Sequence, residues 1–169
     1  MFEKINIFDV NENAVKLFKI DNPIVVFGDI NKHNGLTVAW GALGCLWSKD
    51  IATVYVKPNR YSFEFANNCE YFSIVWFDES IRKEINRVYG SMSGKNVDKE
   101  KLCNLTPIEL DNSVAYKEAS LVIVCKKIYQ NPLNKDNILS EEVLSKPLYQ
   151  DGLFHSEYYG EIVSVYKNN

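Results

Sequence analysis

The run from Ser120 to Ile128, SLVIVCKKI, constrains the fold more than any other segment, because it is the strongest strand signal in the chain. Shorter runs of the same kind surround it. Ile24–Phe27, Leu36 to about Gly44, Ile51–Val56, Tyr71–Phe77 and Gly160–Tyr166 each read as strands. Gly28 to Gly35 and Ser48 to Asp50 read as turns, and Asn22-Pro23 and Pro58 as breaks. Helical signals fall in the connections. Glu12 to Ile20 places Ala14, Leu17 and Phe18 on one face, Tyr61 to Asn67 has Ser62 as its expected N-cap, Asp78 opens a helix to about Tyr89, and Asp98 begins a short one. Strands outnumber helices by residue, which suits a mainly β chain, a barrel with helices packed outside, better than a parallel βαβ sheet.

There is no repeat or linker, and 169 residues are enough for one well-buried domain spanning 1–169. A net charge of -3 with no basic stripe argues against a nucleic-acid or acidic-membrane partner. No N-terminal stretch joins basic residues to a long apolar run, and the apolar segment 121–125 is far too short to span a bilayer. A cytoplasmic location is therefore expected. Cys45, Cys69, Cys103 and Cys125 are widely spaced, with no CxxC, so zinc and iron–sulfur sites are not supported. They read as small hydrophobes in a reducing compartment.

Three segments carry possible chemistry. Asn34-Gly35-Leu36-Thr37-Val38-Ala39-Trp40-Gly41-Ala42-Leu43-Gly44 puts three glycines in a strand, where they weaken packing unless something approaches the backbone. Thr37, Ala39 and Gly41 would share one face, a flat strip on which a planar ring could lie; the alternative is a bent barrel strand with glycines at its corners. Lys57-Pro58-Asn59-Arg60-Tyr61-Ser62 brings two cations, a hydroxyl and a helix start together, either a phosphate cradle or a solvated turn whose Arg pairs with a carboxylate. Gly90-Ser91-Met92-Ser93-Gly94-Lys95-Asn96-Val97-Asp98-Lys99 is either an anion nest or a basic loop, and lacks the GxxxxGK[ST] pattern. His33 and His155 are the only histidines and have no triad partners in the sequence. Tyr158-Tyr159 reads as a cover for a ring or as ordinary barrel filling.

In this order the segments resemble the FMN-binding split-barrel flavin reductase family, especially its short flavoredoxin-like members. The resemblance is carried by NGLTVAWGALGCLWSKDIATVYVKPNRYSFEF, GSMSGKNVDKEK, LVIVCKKIY and HSEYYGEIVSVY, and covers about Ile24 to Lys167. The family typically shows N-x-M-T-x-x-W-G, R-P-x-R-Y-T and G-x-x-S-G-R-D-x-D-K-F. It implies a Greek-key split barrel with short peripheral helices, a homodimer, and FMN near the subunit interface. By position, Asn34, Thr37, Val38, Ala39 and Trp40 would lie along the isoalloxazine and ribityl chain. Arg60, Tyr61 and Ser62 would hold the phosphate beside Lys57, Ser93, Gly94, Lys95 and Lys99. His155 falls where relatives often have a histidine near the flavin, and is a possible catalytic group. Leu36 stands for the usual Met, Lys57 for Arg, Lys95-Asn96 for Arg-Asp, and Glu100 stands near a usual aromatic.

The implied activity is oxidoreduction through FMN with NADH or NADPH as donor. The chain has no strand–GxGxxG–helix unit, so a nicotinamide would stack directly on the flavin. The alternatives are an FMN electron carrier serving a redox protein partner, and a binding module for another flat ligand.

Overall fold

Short runs of apolar and β-branched side chains dictate the strands of this chain, and a computed structural model describes residues 1–168. In chain order the first elements are β1 (Phe2–Ile5), α1 (Ala14–Lys19), β2 (Ile24–Asp29), β3 (Lys32–Thr37), β4 (Gly41–Leu46) and β5 (Lys49–Val56). There follow α2 (Ser62–Asn68), β6 (Tyr71–Trp76), α3 (Glu79–Ser91), α4 (Lys99–Cys103), β7 (Pro107–Leu110) and β8 (Ser113–Tyr116). The chain then runs through β9 (Leu121–Pro132), α5 (Glu141–Leu144) and β10 (Ser156–Asn168). No helix among the described residues is long and apolar enough to cross a membrane.

Hydrogen bonding orders the main sheet β3-β2-β6-β9-β10-β5-β4, with β1 added to β10, while β7 and β8 form a separate hairpin. β3 and β4 stand at opposite ends of that path, yet only Val38, Ala39 and Trp40 join them. The Cα steps from Thr37 to Gly41 reach about 14 Å at most. A flat sheet would hold the two strands roughly 29 Å apart. The sheet therefore curls until its edges approach, giving a Greek-key split barrel that stays open between β3 and β4.

Side chains of β2 show how the barrel is filled. Val25 and Phe27 point into the interior with Phe72, Ile74, Ile123 and Tyr158. Ile24 and Val26 point outward, where Val88 and Tyr89 of α3 and Val114 and Tyr116 of β8 cover them. Both faces of β2, β6 and the first half of β9 are thus buried, which is why IVVF, FSIVW and LVIVC read as continuous apolar runs. Helix boundaries follow local capping. Asn13 accepts from the Lys16 N–H and Asp98 from the Lys101 N–H.

Several expectations change. The glycine-rich stretch is not one strand from Leu36 to Gly44, because the ladder breaks at Val38, where the N–H turns to Pro23 O. The expected turn from Gly28 to Gly35 shrinks to Ile30 and Asn31, where Asp29 Oδ1 accepts from the Asn31 and Lys32 N–H groups. α2 starts at Ser62, so Ser62 is not its N-cap; Tyr61 holds that position with no side-chain cap. β1 and the β7–β8 hairpin, both short, were not anticipated, and β9 and β10 are longer than expected at Pro132 and Ser156.

The break also removes the flat strip expected from Thr37, Ala39 and Gly41. Gly41 is small for another reason: a Cβ there would sit 2.2 Å from the Phe18 ring. Gly35 likewise admits Ile24 and the Tyr89 ring, whereas a Cβ on Gly44 would meet nothing within 4 Å. Phe18 is buried and packed edge-on against Trp76, so it cannot yield easily. Gly41→Ala is expected to cost about 1–3 kcal/mol in urea unfolding, while Gly44→Ala changes stability by less than about 0.5 kcal/mol.

Candidate functional site

The open side of the barrel, where the β3–β4 link passes the end of β5, carries a groove of three cavities that meet at Asn59 and Arg60. The first, about 380 Å³, is lined by Thr37, Val38, Ala39 and Trp40 of the link, with Lys57, Leu148 and His155. The second, about 110 Å³, lies between Asn34, Tyr61, Ser62, Ser93, Gly94 and Lys99. The third, about 300 Å³, opens beside Tyr61, Ser93 and Lys95. Every residue that the family resemblance puts at the flavin lines one of these cavities, whereas Gly41, Tyr158 and Tyr159 line none of them. Two more line the first without having been anticipated: Tyr55, which alternates with the buried Val54 and Val56, and Leu148, from a segment with no local signal. A separate cavity of about 350 Å³ is lined by Asp29, Glu64 and Glu70, the wrong charge for an anion.

The polar end is built around two cations. The Arg60 guanidinium donates to Gly90 O at 2.6 Å, and the buried Lys99 ammonium donates to Gly35 O at 2.7 Å while lying 5.0 Å from the Tyr89 ring centroid. Burial, with the like charge of Arg60 beside it, pulls the Lys99 ammonium down to about 8. Among the described residues, neither cation forms an ion pair with a carboxylate. The solvated turn with a paired Arg is therefore not what forms. Ser62 is buried, and its hydroxyl accepts from Asn34 Nδ2 at 2.5 Å. Gly94 presses onto the same Asn34: a Cβ would fall 2.1 Å from Asn34 Oδ1, so the loop from Ser93 can reach Asn34 only with glycine there.

At the other end Trp40 and His155 pack at a tilt, with ring centroids 4.6 Å apart and planes 49° from parallel, and Trp40 remains 42% exposed. His155 Nδ1 lies 3.3 Å from the Tyr149 hydroxyl. Burial, reinforced by the charges of Lys57 and Arg60, drives the His155 pKa down to about 4, so the ring is neutral near pH 7. Lys57 borders this cavity, but its ammonium is bound by the Leu148 carbonyl and by both Asp151 oxygens, at 2.9 and 2.7 Å. The phosphate contact expected of it would compete with these acceptors. Tyr158 is barrel filling: it is buried against Phe27, and its hydroxyl donates to Asn67 Oδ1 at 2.7 Å.

Glu100, where the sequence departs from the family pattern, accepts from Tyr116 and pairs with His33 Nε2 at 2.6 Å. Burial alone would lower the His33 pKa, but the hydrogen bond and charge of Glu100 outweigh it and raise it above the ordinary value. His33 is thus an ion-pair partner beneath the groove. All four cysteines are free, with Cys45 exposed and Cys125 buried.

No family model matches this chain, and no curated protein matches it by sequence. Solved structures do match its fold. A flavoredoxin from Methanosarcina acetivorans is 18% identical with a TM-score of 0.68, the match covering 99% of this chain and 76% of that one. An FMN-binding domain of a flavin reductase-like enzyme from Shewanella baltica is 15% identical with a TM-score of 0.67, covering 99% and 77%. An FMN-binding protein from Thermus thermophilus with bound 1-cyclohex-2-enone is 14% identical with a TM-score of 0.66, covering 96% and 74%. The chain thus has the FMN-binding split-barrel fold found in flavin reductase-like proteins and flavoredoxins.

The two histidines should titrate on opposite sides of about 6.5, His155 near 4 and His33 above 6.5, in NMR spectra of the imidazole C–H signals. The raised pKa of His33 means its stabilising pair is fully present below about 6.5 and fades as pH rises through the folded value. The lowered pKa of His155 works oppositely, removing stability as pH falls from about 6.5 toward 4. His155→Gln should therefore flatten the acid limb of a melting-temperature profile, and His33→Gln the alkaline one.

Proposed function

We propose that the groove binds FMN and that the chain is an oxidoreductase passing electrons from NADH or NADPH through it. The observation that carries this reading is the pair Arg60 and Lys99, two mutually repelling cations with no carboxylate, beside the Ser62 hydroxyl and Ser93. A buried charge is costly unless compensated. A phosphate placed there supplies the missing anion, with the Arg fork as a bidentate donor. The residues present therefore fit the phosphate end of FMN, with Asn34, Tyr61, Gly94 and Lys95 around it. The link Thr37–Trp40 and the neutral His155 fit the flat end, offering an aromatic wall without charge.

When bound, FMN supplies the redox chemistry, and the protein supplies binding, orientation and field. Neutral His155 can take or give one hydrogen bond near pH 7, so its role is orientation more than charge stabilisation. Trp40, partly exposed, marks the side from which a nicotinamide would reach the ring. A homodimer with the groove near its interface belongs to the same reading. The exposed Trp47 and Tyr129, in edge contact, supply an apolar surface for it.

In a fluorescence-quench titration with FMN, Arg60→Ala should weaken binding by tenfold or more, the loss of a charge-assisted contact of about 1.5–3 kcal/mol. Unchanged affinity would place the phosphate elsewhere. Adding NADH or NADPH to the FMN-loaded protein then separates the two redox readings. Steady nucleotide oxidation supports the reductase, and FMN retention without turnover makes the chain an electron carrier.

A further inference from the structure

We infer that Lys57 and Asp151 are positioning residues, a latch that holds residues 133–155 over the groove as one of its walls. The inference rests on the flavin reading for what the wall encloses, and on geometry alone for the latch. The segment leaves the barrel at the end of β9 and returns at the start of β10, and its ends are pinned together: Ser156 pairs with Pro132, and the Leu133 N–H donates to His155 O at 2.8 Å. Between those ends it holds only α5 and two short 3-10 turns. Leu139 is 94% exposed, and the buried residue is Tyr149, which stacks on Phe154.

Among the described residues, Lys57 is the one side chain from outside the segment that hydrogen-bonds into it. A lysine ammonium has three donors. Here the acceptors are the Leu148 carbonyl and the two Asp151 oxygens, so all three are engaged. The Lys57 side chain is 12% exposed and Asp151 41%, which shields the pair on one side only. The consequence is direct. Leu148 and His155 line the first cavity and Tyr149 bonds His155, so Lys57 sets where Leu148 and the Tyr149 partner of His155 lie.

Asp151→Asn and Lys57→Met provide the test, because the two roles open to Lys57 predict opposite patterns. If Lys57 is a latch, both variants release FMN roughly three- to tenfold faster in stopped-flow exchange, and the double variant is no worse than either single one. Hydrogen exchange should lose protection around Tyr149 and Leu133 in both, with the barrel strands unchanged. If Lys57 instead serves a phosphate, Asp151→Asn frees the ammonium and tightens FMN while Lys57→Met weakens it, which overturns the inference. Unchanged protection in 133–155 overturns it as well. The exchange arm needs no flavin, so it is decided even if the protein fails to bind FMN.

Discussion

The short link from Thr37 to Gly41 is the constraint on which the rest of the molecule depends. It ties the two edge strands of the main sheet together across a distance that only a curled sheet allows. Curling creates the interior that Phe27, Phe72 and Tyr158 fill, and it leaves a split that the ladder cannot close. It also brings the end of β5, with Lys57 and Arg60, beside the link itself. The groove is therefore a product of closure geometry. Its floor is the one place where the sheet's two edges approach without pairing.

Charge is arranged around that groove in two opposite ways. Below it, His33, Glu100, Tyr116 and Tyr89 form a continuous hydrogen-bonded chain, each polar group satisfied by the next. Such a network rigidifies a buried region and costs little once complete. At the lip, Arg60 and Lys99 hold positive charge with only carbonyl oxygens and an aromatic face to offset it. Two like charges with no carboxylate beside them depart from local consistency, as real proteins do at functional or strained sites.

Much of this was legible in the residues, for identifiable reasons. Strands buried on both faces announce themselves, so β2, β6 and the first half of β9 were placed from IVVF, FSIVW and LVIVC. Arg60, Ser93 and Lys99 stand out in the sequence because cations, hydroxyls and glycines crowd two short turns. What stayed hidden depended on distant partners. Nothing local tells that Gly41 answers to Phe18, or that Ser62 faces Asn34 instead of capping its helix. The end of β9 and the segment after it are polar and exposed, so periodicity fades there, and Leu148 carries no mark of the cavity it lines.

Lysine at position 57 shows how a local departure acquires meaning from tertiary structure. Set against an Arg-Pro pattern, Lys57 reads as a weaker phosphate ligand, a point charge in place of a planar fork. The structure gives that point charge another use. A carbonyl and a carboxylate approach Lys57 from a segment nearly a hundred residues away, and three tetrahedral donors on a flexible stem suit such converging acceptors better than a flat guanidinium does. With Lys57 so engaged, Arg60 and Lys99 remain at the groove without a carboxylate partner among the described residues, and the charge of Lys57 adds to burial in keeping the neighbouring His155 neutral.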